Sequence, residues 1–407
     1  MDYIKRDIEK AIQDASAYYS AVLVTGPRQV GKTTTLRRLA DGNRRYVTLD
    51  DLEARKLARS DPELLLSLHP APVLIDEVQY APQLFPYIKI AIDRGAAPGS
   101  IWLAGSQAFR LMELAQESLA GRVAILAMPS LSQHEIHGRG DHAPFEVNLD
   151  AVLARARTGS KTDAIGIYGR IWRGSMPGHA SGKYPDRELF YSSYLQSYIQ
   201  RDIADMASRV DTLLFADFVR AAACRAGQML NIHDIASDVG VSDDTAKRWL
   251  LLMEKSGVIF YLRPYSNNLL KRMVKTPKMY FFDTGLAAYL ARYSSAEILM
   301  SGAMNGAILE NYAVAETVKS YANAGKECLV HYYRDKEGRE IDMVLESDGK
   351  LNPIEIKKSA SPGTEPARAF NVLDAGRVPR GMGAVLCMKE ELSAVDKQTL
   401  IVPIWML

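Results

Sequence analysis

Short apolar runs alternate with amphipathic stretches through the first third of the chain. The runs at 21–24, 73–75 and 101–104 are each short and continuous, as in strands that are buried on both faces. The stretches between them carry apolar residues at helical spacing. Because strands that alternate with helices favour a parallel arrangement, the pattern from Ala21 to about Ser132 predicts an α/β core with a parallel sheet covered by helices.

The pattern changes twice further along the chain. From His134 to Asp211 it is mostly helical with glycine-rich interruptions, which indicates a lid and connector. From Thr212 onward, three helical stretches precede two apolar runs at 258–262 and 278–282, and Ser242 is a good N-cap for the third helix. This order predicts a winged helix-turn-helix. We therefore expect four units, at 1–133 (α/β core), 134–211 (helical lid and connector), 212–285 (winged helix) and 286–407 (small α/β domain).

The first predicted strand leads into Gly26-Pro-Arg-Gln-Val-Gly-Lys-Thr33, which matches the phosphate-binding loop G-x-x-x-x-G-K-[ST]. In such a loop, backbone N–H groups surround the phosphates, Lys32 reaches the β- and γ-phosphates and the Thr33 hydroxyl ligates Mg²⁺. A chance glycine-rich turn is the alternative, but strand, loop and helix follow in the required order. The predicted nucleotide-binding residues are Gly26, Pro27, Arg28, Gln29, Val30, Gly31, Lys32, Thr33, Thr34 and Asp76, and the expected cofactors are ATP and Mg²⁺.

Two acids end the second buried run, at Asp76 and Glu77. We expect Asp76 to hold Mg²⁺ and Glu77 to polarise the attacking water, so this pair predicts hydrolysis of the nucleotide. The third run ends at Ser106, whose hydroxyl could orient that water against the γ-phosphate. An ordinary turn residue is the alternative for Ser106.

These motifs, together with Glu117-Ser-Leu-Ala-Gly-Arg122, Tyr198 to Ile203 and Lys278 to Leu286, resemble a large prokaryotic family of AAA-type ATPases with a C-terminal region of unknown function (DUF4143-like). The resemblance covers essentially the whole chain and implies a homo-oligomer such as a hexamer, or a partner-activated enzyme. It makes Arg122 a candidate arginine finger that acts in catalysis. A surface arginine at a helix end is the alternative for Arg122.

The predicted wing is rich in basic residues. Arg263, Lys271, Arg272, Lys275 and Lys278 occur without an acid among them, which suits contact with phosphates. The third helix offers both acids and bases on its exposed face, so we expect DNA binding with weak sequence preference. A winged helix that packs only against protein is the alternative.

The stretch Arg339 to Lys358 resembles the core of a PD-(D/E)xK nuclease, with Asp342, Glu355 and Lys357 as its catalytic residues. A two-residue type I′ turn at Asp348-Gly349 independently places Asp342 opposite Glu355 across a hairpin, close enough to share one Mg²⁺. The resemblance adds Glu310 as a further metal ligand. Pro353 could shift the register, and the alternatives are a solvated sheet face or a decayed nuclease.

Composition narrows the remaining choices. The chain has 407 residues, a net charge of +2 and three cysteines without a C-x-x-C pair, so neither a disulfide framework nor a cysteine zinc site is predicted. No apolar run approaches a membrane span and no signal peptide is evident, hence a cytoplasmic location is expected. We interpret the sequence as an ATP-driven motor that acts on duplex or branched DNA. An ATP-dependent switch or protein-remodelling ATPase is the alternative, and a non-enzymatic DNA-binding regulator is disfavoured by Asp76 and Glu77.

Overall fold

The computed structural model describes residues 3–106, 111, 119, 121–139, 143–198, 211–266 and 275–407. Two β-sheets organise these residues. The first sheet is parallel and has five strands, and the second is mixed and has nine. Within the described part of the chain, no helix is both long enough and apolar enough to cross a membrane.

The parallel sheet has the strand order β2-β3-β4-β1-β5, which confirms the predicted α/β core. Strands β1, β3 and β4 are buried along their whole length, as expected of a sheet that is covered on both faces. The strands are β1 Ala21–Thr25, β2 Arg45–Thr48, β3 Val73–Asp76, β4 Ile101–Gly105 and β5 Val123–Ala127, and the helices are α1 Ile8–Tyr18, α2 Lys32–Leu39, α3 Leu52–Ser60, α4 Pro62–Leu68 and α5 Leu84–Asp93.

The segment that follows is helical where it is described. A capping box at Ser132 and Glu135 starts its first helix, and Asp186 caps its last one. Its helices are α6 Gln133–Ile136, α7 Leu149–Thr158, α8 Ala164–Arg173, α9 Pro177–Ala180 and α10 Arg187–Ser197.

The stretch predicted to form the winged helix contains three helices and two strands at the expected places, and the winged helix itself stays a prediction. Helix α12 runs from Ile232 to Val239, and Gly240 ends it in the left-handed conformation with φ of 75°. Ser242 caps α13, as predicted. The elements are α11 Thr212–Ala223, β6 Gln228–Met229, α12 Ile232–Val239, α13 Asp243–Lys255, β7 Ile259–Pro264 and β8 Lys278–Phe281.

The nine-stranded sheet joins the predicted wing to the C-terminal region. Its order is β13-β14-β12-β11-β10-β9-β7-β8-β6, and β7 pairs with β9 in parallel, with Arg263 opposite His331. One apolar core runs from Phe145 to Leu407 beneath these elements. The remaining elements are α14 Thr284–Leu290, α15 Ala296–Ser301, α16 Asn305–Asn323, β9 Val330–Arg334, β10 Glu340–Ser347, β11 Lys350–Lys357, α17 Glu365–Ala369, β12 Gly383–Cys387, β13 Ser393–Asp396 and β14 Thr399–Pro403.

The hairpin β10–β11 has the predicted register. Asp348 and Gly349 both have positive φ, and the paired residues run from Ser347 with Lys350 to Met343 with Ile354. Pro353 pairs with Val344 inside this regular ladder, so the proline does not shift it.

One predicted face of this hairpin was wrong. Alternation of side chains along the strand predicts Ile341 on the same buried face as Met343, but Ile341 packs with Val344 and Leu351 in a separate apolar cluster. The cause is a shift in register between β10 and β9, which falls between Ile341 and Val344. A β-bulge of this kind reverses the side on which the preceding side chains lie.

Candidate functional site

The loop between β1 and α2 can form only with glycine at two of its positions. Gly26 has φ of 150°, and a side chain there would collide with the backbone oxygen of Met128. Gly31 has φ of 96° and is the N-cap of α2. These conformations turn the chain sharply at the carboxyl end of β1 and direct the helix N-terminus toward the loop, as anion binding requires.

Two side chains at the start of α2 reach back to the loop and across to the end of β3. The buried Lys32 Nζ donates to the carbonyl oxygens of Gly26 and Pro27, at 2.8 and 2.7 Å. The Thr33 hydroxyl donates to Asp76 Oδ2 at 2.7 Å. Asp76 ends β3, and the Tyr46 hydroxyl also donates to its Oδ2, at 3.1 Å. A lysine, a hydroxyl and a carboxylate therefore converge at one edge of the sheet.

Glu77 follows Asp76 in a conformation that few side chains adopt, with φ of 54° and ψ of 41°. A short 3₁₀ turn at Val78–Tyr80 then brings the Gln79 side chain back against it. The Gln79 Nε2 donates to Glu77 Oε2 and, at 3.3 Å, to the hydroxyl of Ser106. The three predicted residues Asp76, Glu77 and Ser106 thus lie at the carboxyl ends of β3 and β4.

Burial raises the pKa of the Glu77 carboxyl. The hydrogen bond from Gln79 and the positive charges of Lys32 and Arg28 oppose this effect, whereas the charge of Asp76 adds to it. Glu77 is therefore a partly desolvated acid with its cations close by, which is the environment expected of a general base.

A cavity of about 1020 Å³ opens in front of the loop. The loop, from Arg28 through Gln29 and Val30 to Thr34, forms one wall together with Glu77. The opposite wall is one face of α10 and the turn that precedes it, including Lys183 and Tyr184. The cavity is large enough for a nucleoside triphosphate.

Pro27 and Arg28 make two further contacts between the loop and the rest of the chain. A side chain built on Gly257, just after α13, would meet Pro27 Cγ at 2.8 Å, so the two residues are packed closely. The Arg28 Nη2 lies 3.4 Å from the Tyr80 hydroxyl, beside Glu77.

Sequence reasoning missed three residues that hold this site. The buried Arg6 donates from Nη1 to the Val30 carbonyl at 2.7 Å and from Nε to Glu135 at 2.9 Å. Tyr46 and Gln79 bind the two acids, as described above. Of the three, only Gln79 lies close to a predicted motif, three residues after Asp76.

Arg122 lies far from the phosphate loop of its own chain. It precedes β5, whose first residue Val123 pairs with Ala21 at the start of β1, whereas the loop follows the end of β1. Five strand residues span about 17 Å. Arg122 Nε instead contacts Asp93 Oδ1 at 2.6 Å. A finger role therefore requires a neighbouring subunit, and it stays a prediction.

The predicted C-terminal acids lie in a buried charge cluster. Asp342 Oδ2 accepts a hydrogen bond from the Ile356 N–H at 2.8 Å, and Lys357 Nζ contacts Glu355 Oε1 at 2.6 Å. Glu355 Oε2 is buried without a hydrogen-bond partner. Glu310 is held by Lys278 and Tyr280 of β8, at 2.8 and 2.6 Å.

Burial, followed by the charge of Asp342, raises the pKa of both Glu310 and Glu355 to about 7. Burial also raises the pKa of Asp342. The buried Glu355 oxygen without a hydrogen-bond partner would suit a cation, but the Glu310 carboxylate is already bound by Lys278 and Tyr280. Among the residues that the structure describes, no group of three or more His, Cys, Asp or Glu side chains is arranged to hold a metal ion. Metal binding by Glu310, Asp342 and Glu355 and a catalytic role for Lys357 stay predictions.

The predicted basic wing needs one correction. Lys278 is not available to DNA, since it is buried between Glu310 and Glu340, at 2.8 Å from each. Arg263 and Lys275 are exposed. Lys271 and Arg272 lie outside the described residues.

Three family models match successive parts of the chain. Residues 18–137 match an AAA domain, residues 166–297 match a domain of unknown function (DUF8612), and residues 305–407 match a second domain of unknown function (DUF4143).

Two mycobacterial relatives match most of the chain. Uncharacterized proteins of Mycobacterium tuberculosis and Mycobacterium bovis are each 28% identical over 361 residues, which cover 88% of this chain and 75% of the relative. Among solved structures, a Walker-type ATPase of Pyrococcus abyssi is similar at 14% identity and a TM-score of 0.45, over 70% of this chain and 94% of that one. RuvB of Thermotoga maritima is similar at 15% identity and a TM-score of 0.30, over 62% and 88%.

The AAA match covers the parallel sheet, the phosphate loop and the two acids at the end of β3, Asp76 and Glu77. The sequence motifs, the geometry of the site and the family model therefore agree, and together they support ATPase activity of the AAA type at this site.

Proposed function

We propose that this chain is an ATP-hydrolysing motor that couples turnover at the phosphate loop to contact with DNA. The observation that carries the hydrolytic part is the convergence of Lys32, Thr33, Asp76 and Glu77 at one edge of the sheet, with Thr33 hydrogen-bonded to Asp76. The same constellation fits both members of a Mg²⁺–ATP complex, because it offers a cation for phosphate and two oxygens for the metal.

In this proposal each residue has one task. The loop N–H groups and Lys32 bind the phosphates, and Thr33 and Asp76 would hold Mg²⁺, whose charge neutralises the phosphate oxygens. Glu77 accepts a proton from a water molecule as the oxygen of that water bonds to the γ-phosphorus. ADP leaves with the electrons of the broken P–O bond. Ser106 orients the water. The products are ADP and inorganic phosphate.

The coupling part rests on the contacts of the two residues that follow α13. Gly257 packs against Pro27 of the loop, and Ser256 Oγ lies 2.8 Å from the hydroxyl of Tyr198, which follows α10. One face of α10 lines the nucleotide cavity. A movement of the phosphate loop, or a change in the width of the cavity, would therefore displace the C-terminal end of α13, the third helix of the predicted winged helix.

DNA is proposed as the partner because Arg263, Lys271, Arg272 and Lys275 lie in an acid-free part of the chain. The test is the ATPase rate with single-stranded, duplex, forked and four-way DNA. We expect stimulation by at least one duplex or branched form. Replacement of Lys271, Arg272 and Lys275 with Ala should flatten the dependence of log affinity on log salt by about one unit per lost phosphate contact, and an unchanged slope would refute the proposed DNA contact.

A second function, an ATP-dependent switch that acts on a protein, is favoured by the exposed face of α13. This face carries Asp243, Asp244 and Glu254 together with Lys247 and Arg248, and Lys247 is already paired with Asp244 at 3.3 Å. Acids on this face repel phosphate. Stimulation of the ATPase by none of the four DNAs would support the protein switch over the motor.

A role of the C-terminal cluster in cutting DNA stays a prediction with its own test. If Asp342 and Glu355 hold Mg²⁺, Asp342→Asn and Glu355→Gln should weaken Mg²⁺ binding, and Lys357→Ala should weaken it much less. All three should abolish cleavage of branched DNA and leave ATP hydrolysis intact. Wild-type protein that neither binds Mg²⁺ there nor cuts would restrict enzymatic activity to the phosphate loop.

A further inference from the structure

We propose that Gln79 is the residue that positions the Glu77 carboxylate for catalysis, through one side-chain amide that joins Glu77 to Ser106. This inference rests on the proposed ATP hydrolysis and adds a positioning residue that acts through Glu77. Gln79 itself does not line the nucleotide cavity.

The geometry of the amide fixes its orientation. Its nitrogen faces Glu77 Oε2 and the Ser106 hydroxyl, and these two acceptors take both of its protons. Its oxygen packs against Gly105 at the end of β4 and has no hydrogen-bond partner. If the amide were turned over, its oxygen would face the Glu77 carboxylate and repel it. The Gln79 side chain is only 2% exposed, and burying its amide with an unsatisfied oxygen costs free energy. We attribute the compensating gain to the contact between this amide and Glu77.

The backbone explains why Glu77 needs such a partner. Glu77 is in the left-handed region, which an L-residue leaves readily unless its surroundings hold it. The 3₁₀ turn at Val78–Tyr80 returns Gln79 beneath it, and Gly105 leaves just enough room, because any side chain at that position would overlap the Gln79 amide. Strands β3 and β4 are thereby connected at the point where the attacking water is expected.

The test is Gln79→Met, which keeps the length of the side chain and removes both donors. We expect kcat for ATP to fall on the order of 10²-fold, as for a misplaced catalytic group, with the dissociation constant for ATP within about twofold of wild type. Asn323→Leu is the matched control. Asn323 is a second buried amide side chain, at the end of α16, and it has no hydrogen-bond partner. Its replacement should leave kcat unchanged.

A double-mutant cycle separates positioning from a structural role. If Gln79 acts through Glu77, then Gln79→Met should cost nothing further in a Glu77→Gln background, whereas independent effects would multiply. Wild-type turnover in Gln79→Met, or multiplied losses in the double variant, would overturn the inference. If Gln79→Met does not fold, Gln79→Leu also lacks both donors and adds no charge, and it should show the same loss. Full turnover in Glu77→Gln alone would instead refute the proposed function.

Discussion

The contact between Gly257 and Pro27 offers a direct test of coupling between the predicted winged helix and the phosphate loop, because Gly240 provides a matched control. Gly257 and Gly240 end neighbouring helices with nearly the same φ, 71° and 75°. A side chain at Gly240 would meet nothing within 4 Å, whereas one at Gly257 would lie 2.8 Å from Pro27 Cγ and 3.1 Å from Cδ. Alanine at either position costs about 1–2 kcal/mol for the left-handed backbone. Only Gly257→Ala also pushes on the rigid proline ring in the phosphate loop.

We expect both variants to lose similar stability and to differ in catalysis. A displacement on the order of 1 Å in a catalytic loop lowers turnover by up to about 10²-fold, so Gly257→Ala should reduce kcat/KM for ATP by roughly 10- to 100-fold. Gly240→Ala should stay within about twofold of wild type. The assay is steady-state phosphate release, with thermal unfolding of both variants measured in parallel. Equal ATPase activity in the two variants would refute the coupling through this contact.

Three further predictions concern other parts of the molecule. Lys32→Ala should abolish ATP binding, and an ATP affinity equal to that of wild type in equilibrium titration would exclude the assigned role of this lysine. Arg122→Ala should bind ATP normally and hydrolyse it slowly, and activity should recover in mixtures with Lys32→Ala subunits that supply Arg122; slow hydrolysis without recovery would argue against a finger in trans. Lys278→Met should lower the free energy of unfolding by about 3–5 kcal/mol, because it leaves the buried Glu310 without its cation, and a stable variant with weakened DNA binding would show that Lys278 is a surface contact.

The features that the sequence predicts well are those made by neighbouring residues. The phosphate loop needs a strand, two glycines and a helix in succession, and the β10–β11 register follows from the two-residue turn at Asp348-Gly349. In both cases the sequence itself contains the few residue types that favour the required backbone conformation.

The features that it does not predict depend on contacts between distant segments. Nothing near Lys278 in the sequence indicates that it will be buried against Glu310 on α16, and no periodicity predicts the parallel pairing of β7 with β9. Arg6 holds the phosphate loop from outside every motif. The predicted face of Ile341 was wrong for a related reason. The bulge that moves Ile341 to the other face arises where β10 pairs with β9, and not in the hairpin itself.

Hydrolysis at the phosphate loop is the central claim, and a comparison of wild type with Glu77→Gln tests it most directly. Both proteins would be mixed with γ-labelled ATP and Mg²⁺, and bound nucleotide and released phosphate would be followed in the same sample. We expect wild type to release phosphate over many turnovers and Glu77→Gln to retain intact ATP with little or no release. Phosphate release by Glu77→Gln at the wild-type rate, or no release by wild type with any of the four DNAs, would contradict the account.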